Sequence, residues 1–342
     1  MSGRALNIIV TALIAGAAVP VYGAQAEPTE IEYSREGDGI VLTFTGALQE
    51  SHDAVNWTPL DATSPYKAYF ANGTRFYRSV ETEETITTWT AYCSPWVTME
   101  LNWCPPGTFT MGSPTTELGR FPSEIQHKVT LTKGYWIGKY EVTQAQYSAV
   151  TGANPSAFRG NSLPVEQVTW DNAVAFCDRL TSKEKAAGRL PDGYKFALPT
   201  EAQWEYACRA GTTTALNSGK DLSNADKCAE MDEVGWYSNN ASYQTHPVGQ
   251  KKVNSWGLYD MHGNVAEWCR DWMGDYTAAD VVDPTGPATG MLRVTRGGNW
   301  LDTAGGCRSA FHYSCDYPTT YQKNLGFRVV LLPADTQTSS AD

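Results

Sequence analysis

From residue 211 to residue 326 the chain has no helical or strand period. Gly, Asn, Asp, Ser, Trp and Tyr crowd this stretch, and its apolar runs are short. So long a segment without regular patterning normally reads as linker or disorder. Its aromatics argue otherwise, because disordered segments are poor in them. The stretch therefore predicts an irregular fold held by Trp and Tyr packing, with disulfides or a metal as clips.

Regular structure is expected upstream. Thr143-x-x-Gln146 is a capping box, with Gly152 as a stop. Thr169 can cap a second helix, in which Ala173, Phe176, Cys177 and Leu180 fall at i, i+3, i+4 and i+7 before Gly188 ends it. Thr200-x-x-Gln203 is another capping box. It puts Trp204, Ala207 and Cys208 on one face and stops at Gly211. Cys177 and Cys208 read as small core residues. The main body runs from about Trp89 to Leu332, and the chain as a whole is expected to be α+β with much irregular structure.

The first residues, MSGRALNIIVTALIAGAAVPVYGAQAEP, carry one early cation, an apolar run and an A-x-A site. This is the layout of a secretory signal peptide over residues 1–26, and it predicts an exported protein, periplasmic, cell-surface or secreted. No later segment is apolar for long enough to span a bilayer. Residues 28–80 alternate around turn signals at Gly37–Gly39 and Asn72-Gly73, as a small β-rich unit does. Residues 81–88 read as a linker and 333–342 as a disordered tail. The formal charge of −11 leaves no surplus cations to neutralise phosphates, so nucleic acid is not an expected partner.

Eight cysteines in an exported chain favour disulfides. There is no C-x-x-C, and no His stands at zinc-finger spacing. The five histidines are scattered. Neither a G-x-S-x-G nor a P-loop is present.

Seven blocks occur in order: FTMGS (109–113), KYEVTQAQY (139–147), LPVEQVTWDNAVAFC (163–177), LPTEAQWEYACRAGT (198–212), NSWGLYDMHGNVAEWCRDW (254–272), RVTRGGNW (293–300) and NLGFRVV (324–330). Together they resemble the formylglycine-generating enzyme, or sulfatase-modifying factor, domain family. The resemblance covers roughly 230 residues. It implies that family's variant of the C-type lectin fold, here preceded by the small β unit.

Active members of that family convert a sulfatase cysteine to formylglycine with oxygen, at Cu(I) held by two thiolates of a C-x-x-x-x-C motif. Counted from Gly297-Gly298-Asn299-Trp300, the second thiol falls on Cys307 and the first on Asp302. A hard carboxylate does not replace a thiolate on soft Cu(I), so the resemblance implies a broken copper site, with Cys307 catalytic only if the chain is an enzyme. Copper is not expected. Cys307 is expected to be buried or bridged, and Cys315 is left open. The resemblance also places Asp260, Gly263, Val265 and Glu267 on a structural calcium site. Two carboxylates with carbonyls from a glycine turn are the donors Ca²⁺ takes; the alternative is that the carboxylates cap backbone amides.

Residues 299–324 correspond to the ligand-facing surface of lectin-like members. Trp300, Asp302, Phe311, His312, Tyr313, Asp316, Tyr317 and Tyr321 are the expected contact residues, since recognition surfaces favour amphipathic aromatics among small polar groups. Gly297–Trp300 and Gly326–Arg328 fit the anchors that bracket the varied segment in the variable proteins of this family. Two functions follow: a binding module for a glycan or protein at the cell surface, or a formylglycine-generating oxidase.

Overall fold

The computed structural model describes residues 88–312 and 314–334 in full, together with the backbone of seven short strands before residue 81. The chain divides into two units, Met1–Thr85 and Ile86–Asp342. In the first, Ile31–Glu36, Gly39–Phe44 and Tyr66–Tyr69 form an antiparallel sheet. Ala47–Ser51 pairs antiparallel with Thr58–Pro59 and with Phe76–Val80, whose other edge takes Ile9–Val10 in parallel. Apart from Ile9–Val10, the expected signal peptide lies outside the described residues, as do 81–87 of the linker and the tail beyond 334.

The second unit closes on itself. A five-stranded antiparallel sheet has the order Tyr194–Ala197, Val330–Pro333, Tyr135–Gly138, Val97–Cys104, Thr88–Ser94. The last strand thus lies inside the sheet, between two strands from the first half of the unit. Three helices carry the caps that their sequence signals. Helix α1 (Gln144–Thr151) starts on the Thr143–Gln146 box and ends at Gly152 in the left-handed region. Helix α2 (Trp170–Ala186) starts on Thr169, with Asn172 completing the box. Helix α3 (Glu201–Arg209) starts on the Thr200–Gln203 box. Its stop comes one residue earlier than expected, at Ala210 with φ 44°, and Gly211 follows at φ 94°. A short helix, α4 (Ala229–Val234), has no side-chain cap and no signal of its own.

Beyond Gly211 the chain is mostly turns, α4 and short strands. A four-stranded sheet, ordered Cys315–Asp316, Arg293–Arg296, Ala266–Trp272, Leu325–Gly326, stitches this region together. Three buried clusters fill the interior. Cys177 and Phe176 lie in one, Cys208 and Trp204 in a second, and Cys307 with Leu216, Met231 and Tyr237 in the third. All eight cysteines are free thiols, seven of them buried. The disulfides expected from an exported chain are not formed; packing and buried ion pairs hold the irregular region instead.

Candidate functional site

The site is the turn from Gly297 to Cys307 with the segment that follows it. Strand Arg293–Arg296 delivers the chain to Gly297 and Gly298, both at positive φ (92° and 67°). At Gly298 a Cβ would lie 2.5 Å from the Gly306 carbonyl and 2.6 Å from Cys307 Sγ, so the turn closes only on glycine. Asn299 and Asp302 then lock it: Asp302 Oδ2 accepts from the Asn299 backbone N–H (3.0 Å) and from its Nδ2 (2.6 Å). Burial pushes the Asp302 carboxyl up to about 6.

Cys307 ends a 3₁₀ turn, Ala304–Cys307, and has no exposed surface. Its Sγ makes only a weak 3.9 Å contact with the Asn299 carbonyl. Burial, with the Asp302 charge added, raises the thiol well above its ordinary value. A carboxylate at 302 beside a fully buried thiol at 307 offers one hard and one soft donor, not the pair of thiolates that Cu(I) favours.

His262 supports this turn from below, a role the sequence did not signal. Its Nδ1 meets the Cys307 carbonyl (2.7 Å) and its Nε2 the Asn217 N–H (3.1 Å), which assigns a neutral ring protonated at Nδ1. Burial lowers this imidazole to about 4. Arg308 is equally buried; it donates Nη1 to Glu117 and Nη2 to Glu124 and so pins the loop 117–124 to the turn.

The expected surface residues divide. Trp300 is 1% exposed: its N–H donates to the Asn264 carbonyl, its Nε1 to the Lys323 carbonyl, and its ring stands edge-on to Phe158. It is an anchor between 300 and 323, not a displayed ring. His312 is fully buried, with Nδ1 on Glu201 (2.7 Å), Nε2 on the Gly274 carbonyl (3.1 Å) and the ring stacked on Tyr276. Both corrections have one cause: in an irregular fold the aromatic and imidazole groups supply the packing that regular elements supply elsewhere. Asp302, Phe311 and Asp316 are half-buried. Tyr317 and Tyr321 are 55% and 67% exposed, with Leu301 exposed nearby in sequence to Trp300. Tyr313 lies outside the described residues.

The residues expected to hold calcium sit in a different arrangement. Glu267 Oε1 and Oε2 take Arg328 Nη2 and Nε, each at 2.6 Å, and Oε2 also takes Trp204 Nε1. Asp260 Oδ2 accepts from the Gly249 N–H (2.7 Å), while its Oδ1 is buried without a partner. Glu141, missed from the sequence, accepts from the Val265 N–H and from Asn264 Nδ2. Burial first, then the neighbouring Asp260 and Glu267, push Glu141 well above the carboxylate range. A guanidinium already neutralises Glu267; Gly263 forms a backbone bridge with Trp236, and the Val265 N–H donates to the Glu141 carboxylate. Of the two carboxylates expected on calcium, Glu267 is thus paired with Arg328 while Asp260 keeps one buried oxygen without a partner; no group of three His, Cys, Asp or Glu side chains that could hold a metal occurs among the described residues.

No helix among the described residues is long and apolar enough to cross a membrane. Among known proteins, variable protein 1 of Treponema denticola superposes with a TM-score of 0.62, at 31% identity over 71% of this chain and 97% of that one. PvdO from Pseudomonas aeruginosa gives 0.59, at 26% identity over 72% and 97%. In sequence, the chaperone protein LppX of Paenibacillus barcinonensis is 34% identical over 53% of this chain and 74% of its own length. The formylglycine-generating enzyme of Streptomyces coelicolor is 32% identical over 57% of this chain, which spans 60% of that relative. The model of the sulfatase-modifying factor enzyme 1-like domain matches residues 97–332, and with its ordered motifs and C-type-lectin-like architecture the chain belongs to that family.

Proposed function

We propose that this chain is an exported, non-oxidising member of the family that binds a partner through the surface of residues 299–324. The observation that carries the reading is the pair at the copper positions: a half-buried carboxylate at 302 and a fully buried, protonated thiol at 307. Removing one ligand from a two-ligand site abolishes the site rather than tuning it. What remains is a rigid turn, anchored by Trp300, that leaves Tyr317 and Tyr321 outward beside Thr319 and Gln322. Tyrosines among small polar groups supply large contact area at low entropic cost. A polypeptide partner at the cell surface is the favoured class, in keeping with a relative described as a chaperone protein.

The test has two arms. Cu(I) is titrated into the reduced protein, and oxygen-dependent thiol loss is followed in a C-x-P-x-R peptide; tight binding with turnover would establish the oxidase instead. An array of envelope proteins and glycans is probed with the wild type and with Tyr317→Ala/Tyr321→Ala. A ligand lost in the double variant supports the reading, and a ligand retained by it places recognition elsewhere.

A further inference from the structure

The N-terminus of α3, the end of strand Ala266–Trp272 and the segment 274–287 enclose a cavity of about 270 Å³. Its lining includes the carboxylates of Glu201 and Asp271, both buried, with His127, Tyr276, Trp272 and Met111. No Lys or Arg lines it.

Glu201 is held by two cationic or ring donors: its Oε1 meets His312 Nδ1 at 2.7 Å and Arg296 Nη1 at 3.1 Å. Asp271 faces the cavity more directly. Its Oδ2 accepts from the Glu201 backbone N–H at 2.9 Å, and its Oδ1 lies beside Gly286 on the cavity wall, 3.3 Å from where a Cβ there would stand. The nearest cation on the paired strand, Arg293, is committed elsewhere: it lies between the Trp170 and Trp272 rings and donates Nη1 to the Arg270 carbonyl. The Tyr276 hydroxyl is also buried, close to Glu201 but without a partner at hydrogen-bonding geometry. His127 Nδ1 faces the Ile125 carbonyl, so Nδ1 carries the proton and Nε2 is left as an acceptor. The Tyr276 hydroxyl is the buried polar group on this cavity left without a partner, which costs about 1–3 kcal/mol.

We infer that this cavity binds an organic ammonium group, a primary amine on a short apolar stem. Asp271 Oδ1 is its counter-ion, and the Tyr276 hydroxyl and His127 Nε2 accept its remaining N–H donors. The rings of Tyr276 and His127 and the Met111 side chain wall the stem. An anion is excluded by the carboxylate pair and the missing cations. The groups that act on Asp271 agree with this assignment. Burial first, then Glu201, push its carboxyl up to about 7, while the Glu201 N–H and Arg270 act the other way. A bound cation acts on Asp271 in the same direction as Arg270, from the cavity side. This site stands apart from the 299–324 surface and does not depend on the reading given for that surface.

Two sources deliver the same chemistry: a free small amine, or a lysine side chain on a polypeptide. Calorimetry on the full chain, at about pH 8, compares n-butylammonium, Nα-acetyl-lysine N-methylamide and the neutral 1-butanol. The ammonium is expected to bind at least about tenfold more tightly than the alcohol, and to lose about tenfold in Asp271→Asn. Its affinity should weaken as pH falls through about 7, because protonating Asp271 removes the counter-ion while the amine stays charged. Thr277→Trp, at the exposed mouth of the cavity, should block every ammonium probe without touching the floor. Tighter binding of the lysine derivative than of n-butylammonium assigns the site to a polypeptide, and the reverse order assigns it to a free amine. Equal affinity for alcohol and ammonium, no binding of either, or binding unchanged in Thr277→Trp overturns the inference, and the last readout holds even if Asp271→Asn fails to fold.

Discussion

Arg328 and Glu267 face each other as a two-pronged ion pair, Nε to Oε2 and Nη2 to Oε1, both at 2.6 Å and with neither side chain exposed. The pair ties the GNVAEW block to the GFR block, 61 residues apart in the chain. Arg328 also donates Nη1 to the Gly138 carbonyl and Nη2 to the Tyr259 carbonyl, so one guanidinium holds three places in the chain, Gly138, Tyr259 and Glu267. Arg328→Met leaves Glu267 buried without its cation. The expected loss is about 3–5 kcal/mol, the usual cost of breaking a buried pair on one side. Urea denaturation checks it, and a loss below about 1 kcal/mol would contradict this account.

Gly298→Ala tests the turn. The substitution places a Cβ in the left-handed region and against Cys307 Sγ and the Gly306 carbonyl, which is backbone and cannot swing aside. A destabilisation of about 2 kcal/mol or more is expected, from strain and from displacement of the 3₁₀ turn. Thermal denaturation reads the first effect. Faster reaction of Cys307 with a thiol reagent reads the second.

Much of this was legible in the sequence, and what was not has a physical cause. Thr143, Thr169 and Thr200 announce their helices because capping is local: the hydroxyl and the N3 side chain lie within one turn. Helix α4 has no such cap, so nothing local marks it. The block order carries the fold, since each block is a packing unit of the irregular half. The roles of Trp300 and His312 were misjudged because exposure is not a local property. A Trp next to a Gly-Gly turn reads the same on a surface and in a core, and only Phe158, Asn264 and Lys323, all distant in sequence, decide it. The Arg328–Glu267 pair, which takes up one of the two carboxylates expected on calcium, and the Arg308–Glu124 pair are long-range in the same way.

Two kinds of buried group should give the stability curve opposite slopes. Burial raises Asp271 and Glu166 to about 7, so the folded chain holds protons that the unfolded chain has released. Their contribution is full below the ordinary carboxylate range and is lost as pH rises through about 7. His262, lowered to about 4 by burial, contributes above the ordinary imidazole value, and that contribution is lost as pH falls toward 4. Asp271→Asn should flatten the descent between about pH 4 and pH 7 by at most about 1.4 kcal/mol per pH unit. Denaturation at a series of pH values reads the slope; parallel curves for wild type and variant would refute the assignment of Asp271.

The thiols give a count. Seven of the eight are buried and only Cys315 is half-exposed. In the native reduced protein one thiol per chain should react with a water-soluble disulfide reagent, and all eight after unfolding. The native reaction should be slow near neutral pH, because burial and the Asp316 charge raise the Cys315 thiol. Fewer than eight reactive thiols after unfolding without reductant would reveal a bridge that the folded packing does not require.

Trp300 and the two exposed tyrosines should separate folding from recognition. Trp300→Ala removes a fully packed ring together with its donor to the Lys323 carbonyl, and about 3–5 kcal/mol of stability should go with it. Tyr317 and Tyr321 are more than half exposed, so their replacement by Ala should change stability by no more than about 0.5 kcal/mol. If residues 299–324 form the recognition surface, Tyr317→Ala and Tyr321→Ala lose the ligand while melting like the wild type. Trp300→Ala then loses it only in proportion to the fraction unfolded, and adding ligand partly restores its melting temperature by mass action. Denaturation and binding measured on the same three variants decide the matter. Tyrosine variants that bind normally, beside a Trp300 variant that is folded yet blind to the ligand, would move the contact from the outer rim of this segment to the turn at its start.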